Sequence, residues 1–350
     1  MEVRGVWITN VDSRVLYSRA NIAQAMAYIA GYGFNVVFPV VWNKGVTLFP
    51  SKVMAQNFGI EIDPLHRGRD PLQEVITEAK KFNLKVIPWF EYGFASSYQA
   101  NGGNILAKKP HWAGRDYYGK LLTKNGFEWM NALDPEVQNF MTNLILEVVR
   151  KYDVDGIQGD DRLPAMPTEG GYDDKTVNLY RQQFGVYPPA NRKDSHWLKW
   201  RADILTNFLA NLYKQVKAIR PKALVSLSPS VYRWGLDEYL QDYVTWLDRG
   251  LVDLLHPQLY RRDLASYQSL VYRVVTQQLR SNELAIFSPG ILAQLSGYRI
   301  STADLINAIE YNRSLGVNGE VLFFYEAIRA NNDELGKALR NGPYRYAARP

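Results

Sequence analysis

Between Tyr152 and Arg162 the chain reads Tyr-Asp-Val-Asp-Gly-Ile-Gln-Gly-Asp-Asp-Arg. Gly156 to Gly159 has the character of a short buried strand, entered by a turn at Asp153 to Asp155 and ended by two adjacent acids, Asp160 and Asp161. Neighbouring anions repel, so one of the pair should have a raised pKa unless a cation or hydrogen-bond donors hold both ionised. Arg162 is the candidate cation. The plainer role for the same acids is to cap the next segment through backbone amides. Asp153 and Asp155 precede the strand and read as structural. A third acid, Glu91, ends another apolar run, Leu84 to Phe90. Enclosed by Trp89, Tyr92 and Phe94, it should be desolvated and stay protonated near neutrality, which suits a general acid. Two carboxylates, one protonated and one ionised, are the equipment of glycoside hydrolysis. On this reading Asp161 or Asp160 is the ionised nucleophile or base, and Glu91 or Glu326 is its partner.

Composition removes the competing chemistries. There is no cysteine, hence no disulfide, thiolate nucleophile or cysteine-ligated metal. The four histidines, His66, His111, His196 and His256, are scattered without a His-x-x-x-His pair, so neither a metal nor a cofactor is expected. No Gly-x-Gly-x-x-Gly follows the first strand, and no phosphate loop occurs. The net charge of +6 comes from interspersed residues rather than a basic stripe, which argues against a nucleic-acid partner. Nine Trp and 23 Tyr offer flat amphipathic rings suited to stacking on sugars. No apolar run approaches the length of about 20 residues needed to span a membrane. Met1-Glu2 leads straight into an apolar segment, the start expected of a chain trimmed of its leader and equally of a leaderless cytoplasmic protein.

These side chains need a frame that brings distant segments together. Strands are predicted at Val3–Thr9, Phe34–Val41, Leu84–Phe90, Gly156–Gly159, Ala223–Ser228, Val252–Leu259, Leu284–Pro289 and Glu320–Phe324, alternating with helical patterns. Ser18, Asp70-Pro71 and Asp134-Pro135 mark helix starts. Eight short apolar strands alternating with helices predict an α/β protein, a single-domain (β/α)8 TIM barrel over residues 1–350 with long loops after strands two, three and four. The site then lies where the strands end. Arriving there are Asn10, Asp12, Trp42, Asn43, Glu91, Tyr92, Asp160, Asp161, Arg162, Ser230, Tyr232, His256, Gln258, Tyr260, Tyr325 and Glu326. Trp42 is a candidate sugar platform. His256, just before Pro257, fits a core histidine better than a catalytic one but is kept as a substrate contact. Gln258 and Tyr260 share one face of their strand.

Several stretches taken together carry a likeness. They are Arg4-Gly5-Val6-Trp7, Gly33-Phe34-Asn35-Val36-Val37, Asp70-Pro71-Leu72, Lys85-Val86-Ile87-Pro88-Trp89-Phe90, Asp153-Val154-Asp155-Gly156-Ile157, Asp160-Asp161, Pro257-Gln258-Leu259-Tyr260 and Phe323-Phe324-Tyr325. In order and spacing they resemble the bacterial glycosyl hydrolase-like 10 proteins over nearly the whole chain. The resemblance implies an eight-fold barrel acting on a bacterial polysaccharide, either a peptidoglycan glycan strand stripped of stem peptides or an exopolysaccharide. It also implies an exported or lipid-anchored, extracytoplasmic protein. Carried over, the paired acids fall on Asp160 and Asp161, and the Gln and Tyr of strand six on Gln258 and Tyr260. Two departures point to a distinct subfamily. Strand three ends Glu91-Tyr92-Gly93-Phe94 in place of Asn-Pro-Tyr-Arg, and Arg162-Leu163-Pro164 stands where aromatics often follow the two acids. The rival expectation is a non-catalytic glycan-binding barrel of the cell envelope, favoured if Glu91 lies much beyond about 10 Å from the strand-four acids. A carboxylate-metal deacetylase would need histidines beside Asp160-Asp161, and His256 alone is too little.

Overall fold

The computed structural model describes residues 2–349. Eight strands alternate with helices along it: β1 (Val3–Ile8), α1 (Arg19–Gly31), β2 (Val36–Pro39), α2 (Pro71–Lys80), β3 (Lys85–Val86), α3 (Pro135–Lys151), β4 (Gly156–Gly159), α4 (Ser195–Ile219), β5 (Leu224–Leu227), α5 (Tyr243–Asp248), β6 (Leu254–Leu255), α6 (Leu264–Gln277), β7 (Gly290–Leu292), α7 (Thr302–Ser314), β8 (Gly319–Phe323) and α8 (Tyr325–Asn341). Helix starts follow the local chemistry. Ser18, Asp70, Asp134, Asp194, Asp242, Asp263 and Ser301 each accept a backbone amide of the first turn, satisfying a donor that has no partner within the helix. Pro71 and Pro135 occupy the first helical position, where the missing N–H does no harm.

All pairings among these strands are parallel. One sheet has the order β7-β8-β1-β2-β3 and a second the order β6-β5-β4. Isolated parallel bridges join their edges, Trp89 with Gln158 on one side and Leu255 with Phe287 and Gln258 with Gly290 on the other. Every residue of β1, β2 and β4 is buried, as expected of strands covered on both faces. One apolar cluster runs from Val3 to Tyr344. Within it the Trp7 indole donates to Gln158 Oε1 at 2.7 Å, and the Gln158 amide donates to Ser226 Oγ at 2.9 Å. That chain ties β1, β4 and β5 together while leaving the buried amide satisfied.

Several strands are shorter than predicted, the third being Lys85–Val86 and the sixth Leu254–Leu255, and three predicted segments differ in kind. The seventh strand is not Leu284–Pro289: Ser281–Ala285 is a 3-10 helix and the strand is Gly290–Leu292. An apolar run of that length carries no period that separates strand from helix. Here Glu283 decides it, accepting the Arg280 amide at 2.7 Å and its guanidinium at 2.6 Å. The segment after β2, expected as a loop over Trp42–Arg69, holds a hairpin of Trp42–Asn43 with Val46–Thr47 and a helix, Lys52–Phe58. The segment Ala95–Asn131 likewise holds a helix, Gly103–Lys108, and a three-stranded antiparallel sheet of Ala95–Tyr98, Thr123–Lys124 and Phe127–Trp129. Local signals were present for both: Ser51 and Gly59 bracket the first helix, and Asn125-Gly126 is a turn pair whose positive φ values, 52° and 83°, suit a tight hairpin. Among the described residues no helix is long and apolar enough to cross a membrane.

Candidate active site

β4 delivers its acids through a tight turn. A Cβ on Gly159 would lie 2.3 Å from the Leu163 carbonyl, so the chain can fold back there only without a side chain. Asp160 points inward and is 1% exposed. Its Oδ2 accepts the Trp89 indole at 2.9 Å and its Oδ1 accepts the Arg162 amide at 2.9 Å. Burial pushes its pKa well above the usual carboxylate range, against the pull of Arg162. Asp161 is 29% exposed and turns outward, with Oδ1 3.3 Å from Arg162 Nη1.

Arg162 is the hub. Its Nη2 lies 3.4 Å from Asp160 Oδ2 and 3.6 Å from Glu91 Oε1, while its Nε donates to the Glu91 carbonyl at 2.8 Å. Burial opposes its charge, but three carboxylates outweigh that and its pKa rises. The guanidinium lies over the Phe127 ring at 4.6 Å and beside the Tyr92 ring at 5.6 Å. Glu91 is 15% exposed, and its Oε2 accepts the Asn43 side-chain amide. Burial raises the Glu91 pKa, and Arg162 and Asn43 moderate the rise. Glu91 and Asp161 each lie within 3.6 Å of one planar guanidinium, so their oxygens are less than about 10 Å apart, within reach of the inverting range.

The turns after β3 and β4 are locked together by close approach. Gly93, at φ +47°, would place a Cβ 2.1 Å from the Arg162 carbonyl, which accepts the Phe94 amide at 3.0 Å. Trp42 lies behind this contact, fully buried, with its indole donating to the Gly93 carbonyl at 2.9 Å. It holds the loop and offers no face to a sugar, which corrects its expected role. Gln241 completes the support, donating to the Asp160 carbonyl at 2.8 Å and accepting the Ser230 amide at 2.9 Å.

A cleft of about 830 Å³ opens beside the acids, lined by Asp161, Tyr232, Gln258 and Tyr260 among others. The Tyr260 hydroxyl has its pKa raised by burial and then by Asp161 and Asp160, so it sits in the field of the acid cluster. The Gln258 amide donates to the Ser228 carbonyl at 3.3 Å. Neither Glu91 nor Asp160 lines this cleft.

Other expected contacts fall elsewhere. His256 is fully buried in the core, edge-on to Phe38 at 5.4 Å, with Nδ1 2.9 Å from the Ser288 carbonyl. Burial lowers its pKa to about 4, and it is no substrate contact. Tyr92 is buried under Arg162. Tyr325 is buried, and Glu326 accepts the Ser13 hydroxyl at 2.7 Å; neither borders the cleft, nor does Asn10, whose buried Oδ1 has no hydrogen-bond partner among the described residues. Conversely, sequence reasoning missed the supporting roles of Phe127 and Gln241, as well as the cleft residues Trp234, Arg261 and Arg273. Trp234 and Arg261 follow shortly after β5 and β6, a position that was itself a signal.

Comparison with known proteins agrees with this architecture. Residues 2–312 match the family described as Glycosyl hydrolase-like 10. Glycosyl hydrolase DigH of Escherichia coli K12 is 27% identical over 296 residues, covering 77% of this chain and 64% of the relative. Glycosyl hydrolase YngK of Bacillus subtilis 168 is 24% identical over 290 residues, covering 74% and 54%. The chain therefore spans less than two thirds of the length of these relatives. Among solved structures, the glycoside hydrolase domain of PgaB (BpsB) from Bordetella bronchiseptica superposes with a TM-score of 0.72 at 14% identity, covering 97% of this chain and 99% of that one. The catalytic domain of β-amylase from Paenibacillus polymyxa gives 0.66 at 10% identity, covering 99% of each chain. At such identities the structural likeness bears on the fold alone, and these are barrel-type glycoside hydrolases. The family match reaches from before β1 into α7 and takes in every residue of the acid cluster, so this chain belongs to the glycosyl hydrolase-like 10 family.

Proposed function

We propose that the protein is a glycoside hydrolase that cuts a bacterial polysaccharide, a peptidoglycan glycan strand or an exopolysaccharide, outside the cytoplasm. The observation that carries this is the outward Asp161 at the edge of a large cleft, sharing one guanidinium with a Glu91 whose pKa is raised. In this reading the two strand groups form one closed (β/α)8 barrel over residues 2–349, completed by the bridges at Trp89, Leu255 and Gln258, with the cleft at the strand ends. Asp161, paired with Arg162, acts as the ionised nucleophile or base. Glu91 is the proton donor for the leaving oxygen. Asp160, 1% exposed against 15% for Glu91 and with both oxygens engaged by the Trp89 indole and the Arg162 amide, is a positioning residue that aims Arg162 and Trp89. The role of nucleophile or base thus falls to Asp161 alone of the strand-four pair, because burial favours a protonated Asp160.

The test is release of new reducing ends from a panel of cell-wall and capsular glycans. Asp161→Asn is expected to lower cleavage by at least about 10²-fold, with the thermal midpoint moved by less than about 2 °C, since the side chain is solvent-accessible. An Asp161→Asn protein as active as its parent refutes the assignment. One observation favours the rival reading of a non-catalytic glycan-binding barrel: Glu91 does not border the cleft. Tight glycan binding with no cleavage by the parent would decide for that alternative.

A further inference from the structure

The cleft beside Asp161 carries groups that hydrolysis itself does not use. Trp234 opens the short helix Trp234–Tyr239 after β5 and is 53% exposed, resting against Tyr239 at 5.5 Å. Arg261, just beyond β6, and Arg273, in α6, line the same cleft and are exposed. Their charges have few partners. Arg261 donates to the carbonyl of its own neighbour, Tyr260, at 2.7 Å, and among the described residues neither arginine forms a salt bridge. Asp263 lies near Arg261 but accepts the Ser266 amide at 2.8 Å as the cap of α6. A third arginine of the cleft, Arg233, is already paired with Asp237 at 3.0 Å. Among the described residues the lining contains a single acid, Asp161, and that acid is held by Arg162. The cleft therefore joins a flat aromatic face to uncompensated positive charge. Two arginines free for charge-assisted hydrogen bonds suit carboxylates, and a wall of this sign repels amino sugars.

We propose that the cleft selects a carboxylate-bearing glycan, stacking a sugar ring on Trp234 and seating acidic groups against Arg261 and Arg273. This rests on the reading of the cleft as the glycan site, but not on the hydrolytic step. Binding therefore tests it separately, by calorimetry with the full chain carrying Asp161→Asn. The probes are peptide-free peptidoglycan glycan oligomers and a polyuronate, each compared with its carboxyl-reduced form. The acidic form is expected to bind about tenfold or more tightly. That preference should shrink as NaCl rises from about 50 mM to about 500 mM, and Arg261→Gln with Arg273→Gln should bring the ratio of the two affinities to about one. Trp234→Ala should weaken both forms together and leave the ratio in place, separating stacking from charge. Equal affinity for acidic and reduced forms in every pair, or a preference that survives the double arginine variant, overturns the proposal even if glycans are cleaved. A preference that vanishes in that variant upholds it even if the parent releases no reducing ends, in which case only the hydrolytic reading falls.

Discussion

Arg162 is held by opposing demands. Asp160 is buried, Glu91 nearly so, and each has its pKa raised by burial and pulled back by the one guanidinium. Replacing Arg162 by Met would leave buried acids without their cation, a change that typically destabilises by roughly 3 kcal/mol. Both carboxyls would then favour the protonated form in the native state still more strongly. The loss, read from urea midpoints, should therefore grow as pH rises from about 5 to about 8 and shrink in acid. Catalysis should follow Glu91 with a related sign. A proton donor works only while protonated, so kcat should fall as pH rises through the raised Glu91 pKa. Glu91→Gln should lower kcat by about 10²- to 10⁴-fold and remove that alkaline limb from the pH profile. A limb that persists in Glu91→Gln would assign the donor elsewhere.

The elements position this cluster through backbone contact as well as through side chains. Gly93 and Arg162, on turns after different strands, approach so closely that Gly93→Ala must separate them, and the positive φ adds strain. A loss of about 2 kcal/mol or more is expected, with reduced kcat as Arg162 shifts. Asp134→Ala is the contrasting change. It removes the cap of α3 and a 2.6 Å pair with Lys175, far from the acids in sequence and role, and should cost about 1 kcal/mol while cleavage continues. Helix starts of this kind were readable in advance because cap, proline and first turn are adjacent in sequence. The hairpin and sheet within the long segments are written just as locally, at Lys44-Gly45 and Asn125-Gly126, but without a helical period these segments read as plain loops.

For the molecule as a whole, the end of the sheet opposite the acids has its own ionisable core. Glu320, on β8 beside Arg4 of β1, is buried and accepts the Tyr344 hydroxyl at 2.5 Å, while its other oxygen has no partner among the described residues. Burial raises its pKa from 4.5 to about 7. The native chain therefore holds a proton there up to about pH 7, whereas the unfolded chain releases it above about 4.5. This group's contribution is undiminished below pH 4.5 and declines as pH rises through 7, by up to roughly 3 kcal/mol. Glu320→Gln should keep the tyrosine contact and lose that dependence. The difference in thermal midpoint between variant and parent should move in the variant's favour from pH 5 to pH 8, and a difference flat in pH would contradict the raised pKa.

Periodicity and capping act over a few residues, so the alternation of strand and helix, the starts of α1, α2 and α3, and the Asp-Asp-Arg ending of β4 were already present in the order of amino acids. Adjacency also gave a conditional expectation, that one of the paired acids has a raised pKa unless a cation holds both ionised, and in the structure burial is the larger cause of the rise. Which acid it is did not. Asp160 and Asp161 differ by one position, yet one lies under Trp89 and the other faces the cleft, because burial is set by segments some 70 residues away in sequence. The same physics hid Trp42 behind Gly93, sank His256 into the core and set Trp234, Arg261 and Arg273 around Asp161. For these residues solvent exposure is decided by the packed chain rather than by the local pattern.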